Sequence, residues 1–351
     1  MKLEQTAIEW AHYTFNPWRG CTKVSEGCAN CYAEVLSRRN PATLGEWGPG
    51  RPRVLAADAM WRSPLKWNAT QHWACPSCGT VHVKNTPGSV LECDCSSDGT
   101  VCELIRPRVF CASLADVFDP EVPTEWRQRL LQLIDDTPNL DWLLLTKRPE
   151  QIEPLMQAAM HGNFEREKTF AEHMPNVWLG TSAENHARAV ERIPVLCDIP
   201  ATVHFVSCEP LLGLVQLNAI DDIDNNRFNA LTGAWGVEGR GWTEPDPSRA
   251  LNWVIAGGES GGDARPMHPV WARSLRNQCH NAGVPFLFKQ WGEWAPTTVA
   301  GYDQLPADKR LRGYRYADGR LMLRVGKKVA GHELDGREWN EFPQGKGVVC
   351  G

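Results

Sequence analysis

The sequence predicts an α/β protein with a parallel sheet, on three observations. Six short apolar runs recur along the chain: "PRVFCASLADVF", "DWLLLTKRPE", "NVWLGTSAEN", "TVHFVSCEPLL", "NWVIAGGESGG" and "PFLFKQWGEW". Amphipathic stretches such as "EWRQRLLQLIDDTP", "HARAVERIPVLCDI" and "VWARSLRNQCHNAG" lie between them, and short strands alternating with helices are the mark of such a sheet. The near-continuous hydrophobicity of "DWLLLT" and "NWVIAG" suits strands covered on both faces. With a seventh strand expected beside the first cysteine cluster, the pattern fits a doubly wound sheet or an open or closed barrel.

In chain order, the first feature is "RGCTKVSEGCANCYAE", which puts Cys21, Cys28 and Cys31 within eleven positions. "CYAEVLSRRN" reads as the start of a helix, and the Gly- and Pro-rich "PATLGEWGPGRPR" as a loop. The composition then changes abruptly. "WACPSCGTVHVKNTPGSVLECDCSSDGTVC" is polar, turn-rich and cysteine-rich, and it reads as an inserted module over 71–102. The six apolar runs follow, each with a polar tail: Asp116; Lys147 with Arg148; Ser182 with Glu184; Ser207 with Glu209; Glu259 with Ser260; Lys289 with Gln290. In both architectures the C-terminal edge of the strands holds the active site. Helix N-caps explain Ser182 or Asp116 singly, but six in a row favour a site. Past Trp294, "GYRYADGRLMLRV" reads as a hairpin turning tightly at Asp318 and Gly319, and "HELDGREWNEFP" as a small appendage.

Composition narrows the class. No apolar run approaches the roughly 18 residues of a membrane span, and "MKLEQTAIEW" lacks a signal pattern, so no membrane partner and a cytoplasmic location are expected. A net charge of −5 draws the whole protein to no nucleic acid. Basic clusters in "SRRNP", "GRPRV" and "TKRPE" leave room for a local basic face. Thirteen cysteines in a reducing compartment point to metal or redox chemistry more than to disulfides, and eight of them fall in two tight groups.

In the insert, Cys75, Cys78, Cys93, Cys95 and Cys102 offer five thiols to a tetrahedral Zn²⁺ that needs four, with His82 in reserve. The segment has almost no apolar core, so metal would supply its folding energy. In the first group, the spacing fits zinc with His12 as fourth ligand as well as it fits an iron–sulfur cluster. Three thiolates on a four-iron cluster leave one iron open, and that iron can chelate S-adenosylmethionine for reductive cleavage to a 5′-deoxyadenosyl radical.

Several blocks carry a closer likeness: "IEWAHYTFNPWRGCTKVSEGCANCYAE", "PLKWN", "RVFCASLADVFDPEVP", "LLTKRPE", "VWLGTSAEN", "FVSCEPLLG", "VIAGGESGGDARPM" and "VPFLFKQWGEW". Over residues 6 to 294, apart from the insert, they resemble the phage-type three-cysteine-motif family of radical-S-adenosylmethionine-like proteins. The resemblance implies a partial parallel (β/α) barrel of radical-SAM type over 1–70 and 103–295. A zinc-ribbon-like insert at 71–102 and a C-terminal β-hairpin appendage at 296–351 complete the chain. It makes Cys21, Cys28 and Cys31 the ligands of a [4Fe-4S] cluster, with S-adenosylmethionine as co-substrate and a flavodoxin or ferredoxin as electron donor. Radical enzymes commonly space these cysteines by three and then two residues, so the six-residue gap after Cys21 is a departure.

The same likeness makes Gly257, Gly258 and Glu259 candidates for the methionyl group, and Ser182 and Glu184 candidates for the ribose. Lys147, Arg148 and Glu209 are the candidate catalytic residues. The two cations suit a carboxylate, a phosphate or a nucleic-acid backbone, unless Glu209 or Glu184 pairs with them. Arg265 and Lys289 invite the same two readings, while Cys111 and Cys208 read as small buried hydrophobes. The implied substrate is nucleic acid, for base repair or modification of the kind spore photoproduct lyase performs. The rival is a non-catalytic nucleic-acid-binding protein stabilised by zinc at both groups.

Overall fold

Each apolar run forms one strand of a single parallel sheet. The computed structural model describes residues 6, 8–84, 92–93, 95, 100–160, 170–221, 226–237, 241–297 and 313–343. The strands are β1 (Tyr13–Phe15), β2 (Arg108–Cys111), β3 (Asp141–Thr146), β4 (Val177–Ser182), β5 (Val203–Cys208), β6 (Trp253–Gly257) and β7 (Phe286–Gln290). They pair in chain order with every neighbour parallel. Among the described residues β1 and β7 do not pair, so the sheet is an open half-barrel. A doubly wound strand order is thereby excluded.

Two faces explain the near-continuous hydrophobicity. The outer face packs Leu144, Leu179, Val206 and Val254 against helices α2 (Thr124–Asp135), α3 (Ile152–Ala159), α4 (His186–Cys197) and α5 (Pro269–Ala282). Cys111 and Cys208 are buried there as apolar filler. The concave face carries Phe110, Leu143, Trp178, Phe205, Trp253 and Leu287, with Trp10 lying across them. Gly180 permits this, because a Cβ there would lie 2.3 Å from the Phe205 ring. Toward the strand C-termini the same concave rows turn polar, through Lys147, Ser182, Ser207 and Lys289. Helix α1 (Tyr32–Arg39) begins directly after Cys31. Between β5 and β6, four short antiparallel strands within 220–242 replace a covering helix, an element the strand–helix pattern does not announce.

The insert reaches β2 from its N-terminal end. Strand Gln71–Ala74 pairs with Val81–Lys84 and Glu103–Ile105, and His72 Nε2 meets the Tyr13 hydroxyl at 2.8 Å. At the C-terminus, Gly313–Arg315 and Leu321–Arg324 form the expected hairpin. Five residues, 316–320, separate the strands rather than a two-residue turn: Tyr316 N–H donates to Arg320 C=O and Gly319 N–H to Tyr316 C=O, both at 2.9 Å, with Gly319 at φ +89°. The tail then lies along the free edge of β7, Phe288 N–H donating to Trp339 C=O at 2.9 Å. Phe342 packs beneath the Arg108 guanidinium and against Trp253. So 313–343 covers a sheet edge that would otherwise be open.

His12 stands at the N-terminal end of β1, where Nδ1 accepts the Arg108 N–H at 2.8 Å. It does not join Cys21, Cys28 and Cys31. Burial, then the charge of Arg108 and the neighbouring His72, pull its pKa down to about 3. An unfolded chain takes up this proton near 6.5, while the folded one refuses it until about 3. Stability is therefore unaffected by His12 above 6.5 and falls by about 1.4 kcal/mol per pH unit as pH drops toward 3. In urea titrations the His12→Gln variant should lose stability less steeply than the parent between pH 6 and 4.5, and equal slopes would count against this account.

Candidate functional site

The polar ends of the strands surround a cavity of about 460 Å³. Trp10, Phe110 and Leu145 form its apolar floor, and the loop 21–31 arches over its mouth with Cys21, Cys28 and Cys31 all in its lining. None of the three is in a disulfide.

Four strand ends hold this loop. Arg148, after β3, donates Nη2–H to Thr22 C=O at 2.7 Å, and its Nη1 lies 3.7 Å from Cys21 Sγ. Glu184, after β4, accepts from Ser25 Oγ and from Gly27 N–H (3.2 Å) on one oxygen. Its other oxygen pairs with Arg192 of α4 at 3.0 Å. Both side chains are almost fully buried. Arg265 donates to Glu26 C=O at 3.1 Å and to both oxygens of Glu259, and Glu259 also accepts from Asn30 Nδ2 at 3.2 Å. The Tyr32 hydroxyl donates to Ser113 C=O past β2. A loop with no regular structure beyond the 3₁₀ turn Glu26–Cys28 is thus fixed by side chains distant in sequence.

The cavity's charges are mostly paired. Asp116 accepts from Thr146 Oγ1, from Phe118 and Lys147 N–H, and from Arg148 Nη1 at 3.0 Å. Lys289 pairs with Glu209 at 2.9 Å; burial opposes its charge, yet the Glu209 carboxylate holds its pKa above the ordinary value. Burial likewise opposes the charge of Glu259, but the Arg265 hydrogen bonds bring its carboxyl below the usual range. Lys147 differs: Nζ donates to Ser182 Oγ at 3.1 Å and forms no carboxylate pair among the described residues. Among the described residues, the ion pair expected for the cations exists for Arg148 alone, with Asp116 rather than Glu209 or Glu184, while Lys147 meets the Ser182 hydroxyl.

Of the predicted set, Lys147, Arg148, Ser182, Glu209, Gly258 and Glu259 line the cavity with the three cysteines. Glu184 and Gly257 do not. Glu184 spends its carboxylate on the cysteine loop, and Gly257 leaves room for Glu209, whose Oε1 would be 2.7 Å from a Cβ there. Gly258 lines the cavity for a backbone reason as well, since a Cβ would lie 1.9 Å from Trp291 C=O. The sequence reading passed over Arg192 as a partner in this site. Its signal was a cation on the buried stripe Ala189, Ile193, Leu196 of α4, where an arginine needs an acid.

The second cysteine group is a compact set. Cys75, Cys78, Cys93 and Cys95 bring their sulfurs within 4.8 Å of one another, with Cys75–Cys95 at 3.4 Å and Cys78–Cys93 at 3.7 Å. A tetrahedral ion with bonds of about 2.3 Å sets its sulfurs roughly 3.8 Å apart, so these four can hold a metal ion. Cys102 packs beside them with Trp73 and lies outside the set. The Thr80 hydroxyl, 3.1 Å from Cys78 Sγ, and the Thr80 N–H draw that thiol down to about 6, toward the ligating form.

Among the described residues this is the one group of three or more ligand atoms so close. Cys21, Cys28 and Cys31 do not form such a group. Burial, with Asp116 nearby, pushes the Cys21 thiol up to about 12 against the opposing Arg148, and burial raises Cys31 too. Cys21, Cys28 and Cys31 thus offer three thiols to one cavity.

A family model described as a protein of unknown function (DUF5131) matches residues 5–343. No curated protein and no solved structure matches the chain.

Proposed function

The chain belongs to the DUF5131 family, and from its own site we propose that it is a radical S-adenosylmethionine enzyme. The observation that carries this reading is the set of three cysteines, Cys21, Cys28 and Cys31, in the lining of one cavity with strand-end polar groups. When bound, a [4Fe-4S] cluster with S-adenosylmethionine on its open iron supplies reductive sulfonium cleavage and hydrogen-atom abstraction. Cys21, Cys28 and Cys31 would hold the cluster, and Arg148, Glu184, Glu259 and Arg265 keep their loop in place. Lys147, Ser182, Ser207, Glu209 and Lys289 offer charges and hydroxyls to the co-substrate and substrate, while the floor of Trp10, Phe110 and Leu145 keeps water from the reacting atoms. The unpaired Lys147 suits an anionic substrate, which is why nucleic acid stays ahead of a neutral molecule.

Anaerobically reconstituted protein should contain about four irons and four sulfides per chain and release 5′-deoxyadenosine from S-adenosylmethionine when reduced. Zinc alone at both cysteine groups would end this reading in favour of the non-catalytic rival.

Zinc at Cys75, Cys78, Cys93 and Cys95 belongs to the same proposal, as a folding device for the insert. The insert joins the N-terminal end of β2, whereas the cavity lies at the strand C-termini, so the two sites share no ligand. Cys78→Ser should therefore remove the zinc and leave iron unchanged, read by elemental analysis of one sample. Joint loss of both metals would show the sites to be coupled.

A further inference from the structure

The segment 259–266, between β6 and α5, contains no helix or strand. Its sequence "ESGGDARP" gives it little path of its own, because two successive glycines leave the backbone many conformations to lose. A Cβ on Gly261 or Gly262 would meet nothing within 4 Å, so packing does not hold the chain there either. Hydrogen bonds do. One set of donors comes from the C-terminal hairpin and from Trp294–Pro296, the strand that pairs with it. Arg324 Nη2–H donates to Gly261 C=O at 2.9 Å and to Gly262 C=O. Trp294 Nε1–H donates to Ala264 C=O and the Tyr316 hydroxyl to Pro266 C=O, both at 2.7 Å. The other contacts run to the cysteine loop. Arg265 Nη1–H donates to Glu26 C=O at 3.1 Å, and Asp263 C=O accepts from Asn30 Nδ2 at 2.7 Å.

We infer that the C-terminal hairpin is a positioning element of the cysteine site: it fixes segment 259–266, and the segment fixes the loop that carries Cys28 and Cys31. The hairpin has an anchorage of its own, since Met322, Leu323 and Val325 are buried in the outer core. It is therefore a firm point from which to hold an irregular segment. The cysteine loop has only the 3₁₀ turn Glu26–Cys28, and Arg265 and Asn30 tie it to the segment on either side of Cys28. Trp294, Tyr316 and Arg324 stand outside the cavity lining, so they act through the segment and not on a bound molecule. A hairpin that merely covered the core would need its buried apolar residues, but no side-chain donors toward four carbonyls of one segment. The inference concerns the loop itself and stands whatever group the three thiols hold.

The test uses the full-length protein and the variant Tyr316→Phe/Arg324→Met. It removes both donors but keeps a ring against His268 and Trp271 and an apolar stem beside Trp294. Hydrogen exchange is read at Cys28 and Ala29, whose N–H groups donate to Ser25 C=O and Glu26 C=O at 3.0 and 3.1 Å. Both should exchange at least about tenfold faster than in the parent, the effect of the lost hydrogen bonds on a local opening, while β3 to β5 stay as protected as before. Arg324→Lys still offers donors to the two carbonyls and should remain within about twofold of the parent. Asp335→Asn is the control. It breaks ion pairs with Arg273 and Arg276, both at 2.6 Å, and so loosens the same appendage from α5 without touching segment 259–266. It should leave Cys28 and Ala29 as they are. Parental protection of these amides in the double variant would overturn the proposal. So would equal acceleration in Asp335→Asn, which would show that any loosening of the appendage reaches the loop. Should the double variant fail to fold, Arg324→Met alone decides: about fivefold faster exchange is expected, and parental exchange would overturn the proposal.

Discussion

On the proposed radical-enzyme reading, Cys28→Ala should bring iron, sulfide and 5′-deoxyadenosine release down to the level of a protein-free control. Three cysteines leave no spare ligand: the other cysteines of the chain lie in the insert, in the packed core or at position 350. A two-thiolate remnant leaves two corners of a four-iron group bound only to solvent, and such a group falls apart. The loss should not come from unfolding. Cys28 is partly exposed at the end of a 3₁₀ turn, near Ser25 Oγ at 3.9 Å, so its removal should shift stability by no more than about 0.5 kcal/mol. Cys111→Ala provides the contrast. That thiol is completely buried in the outer core, and its loss should cost about 1 kcal/mol through a small cavity while iron stays bound. A urea midpoint and an iron assay on both variants separate the two roles. If Cys28→Ala retains a full cluster, the triad is not its ligand set.

The sheet was legible because its signal is local. Each apolar run has the length of one buried strand, and every run became a strand in chain order. The row of polar tails followed from the same reasoning, since a strand that stops being apolar at its C-terminal end has reached solvent or a site. What the sequence did not disclose depends on contacts distant in the chain. Glu184 sits two residues past Ser182 in "GTSAE", and both read as cofactor ligands. One lines the cavity and the other turns away to the loop 157 residues earlier. Nothing in the spacing distinguishes them, because the direction of a side chain after a strand end is set by what it meets. The tail around Trp339 is a similar case. Its composition suggests an appendage, and only the unpaired edge of β7 gives it a place. The antiparallel strands between β5 and β6 were missed for another reason: two- to four-residue strands carry too little periodicity to read.

Glu184→Ala carries the largest stability cost expected in the site, and it tests whether the loop is held from β4. The substitution strands Arg192, which is almost fully buried on α4 and retains only the Ser182 carbonyl as an acceptor among the described residues. Removing one partner of a buried ion pair costs about 3–5 kcal/mol, because the remaining charge cannot return to water. At the same time Ser25 Oγ and the Gly27 N–H lose their shared acceptor, so the loop between Cys21 and Cys28 is released. Glu184→Gln divides these effects. An amide oxygen still accepts from the loop, while the charge pairing with Arg192 is lost, so about 1.5–3 kcal/mol should go and the cluster should remain. Hydrogen exchange gives the readout that a merely structural role would leave alone. The Gly27 amide should exchange much faster in Glu184→Ala and nearly as in the parent in Glu184→Gln, with iron content following the same order. If Gly27 stays protected in Glu184→Ala, the loop is fixed by Arg265 and Arg148 alone, and Glu184 serves only to neutralise Arg192.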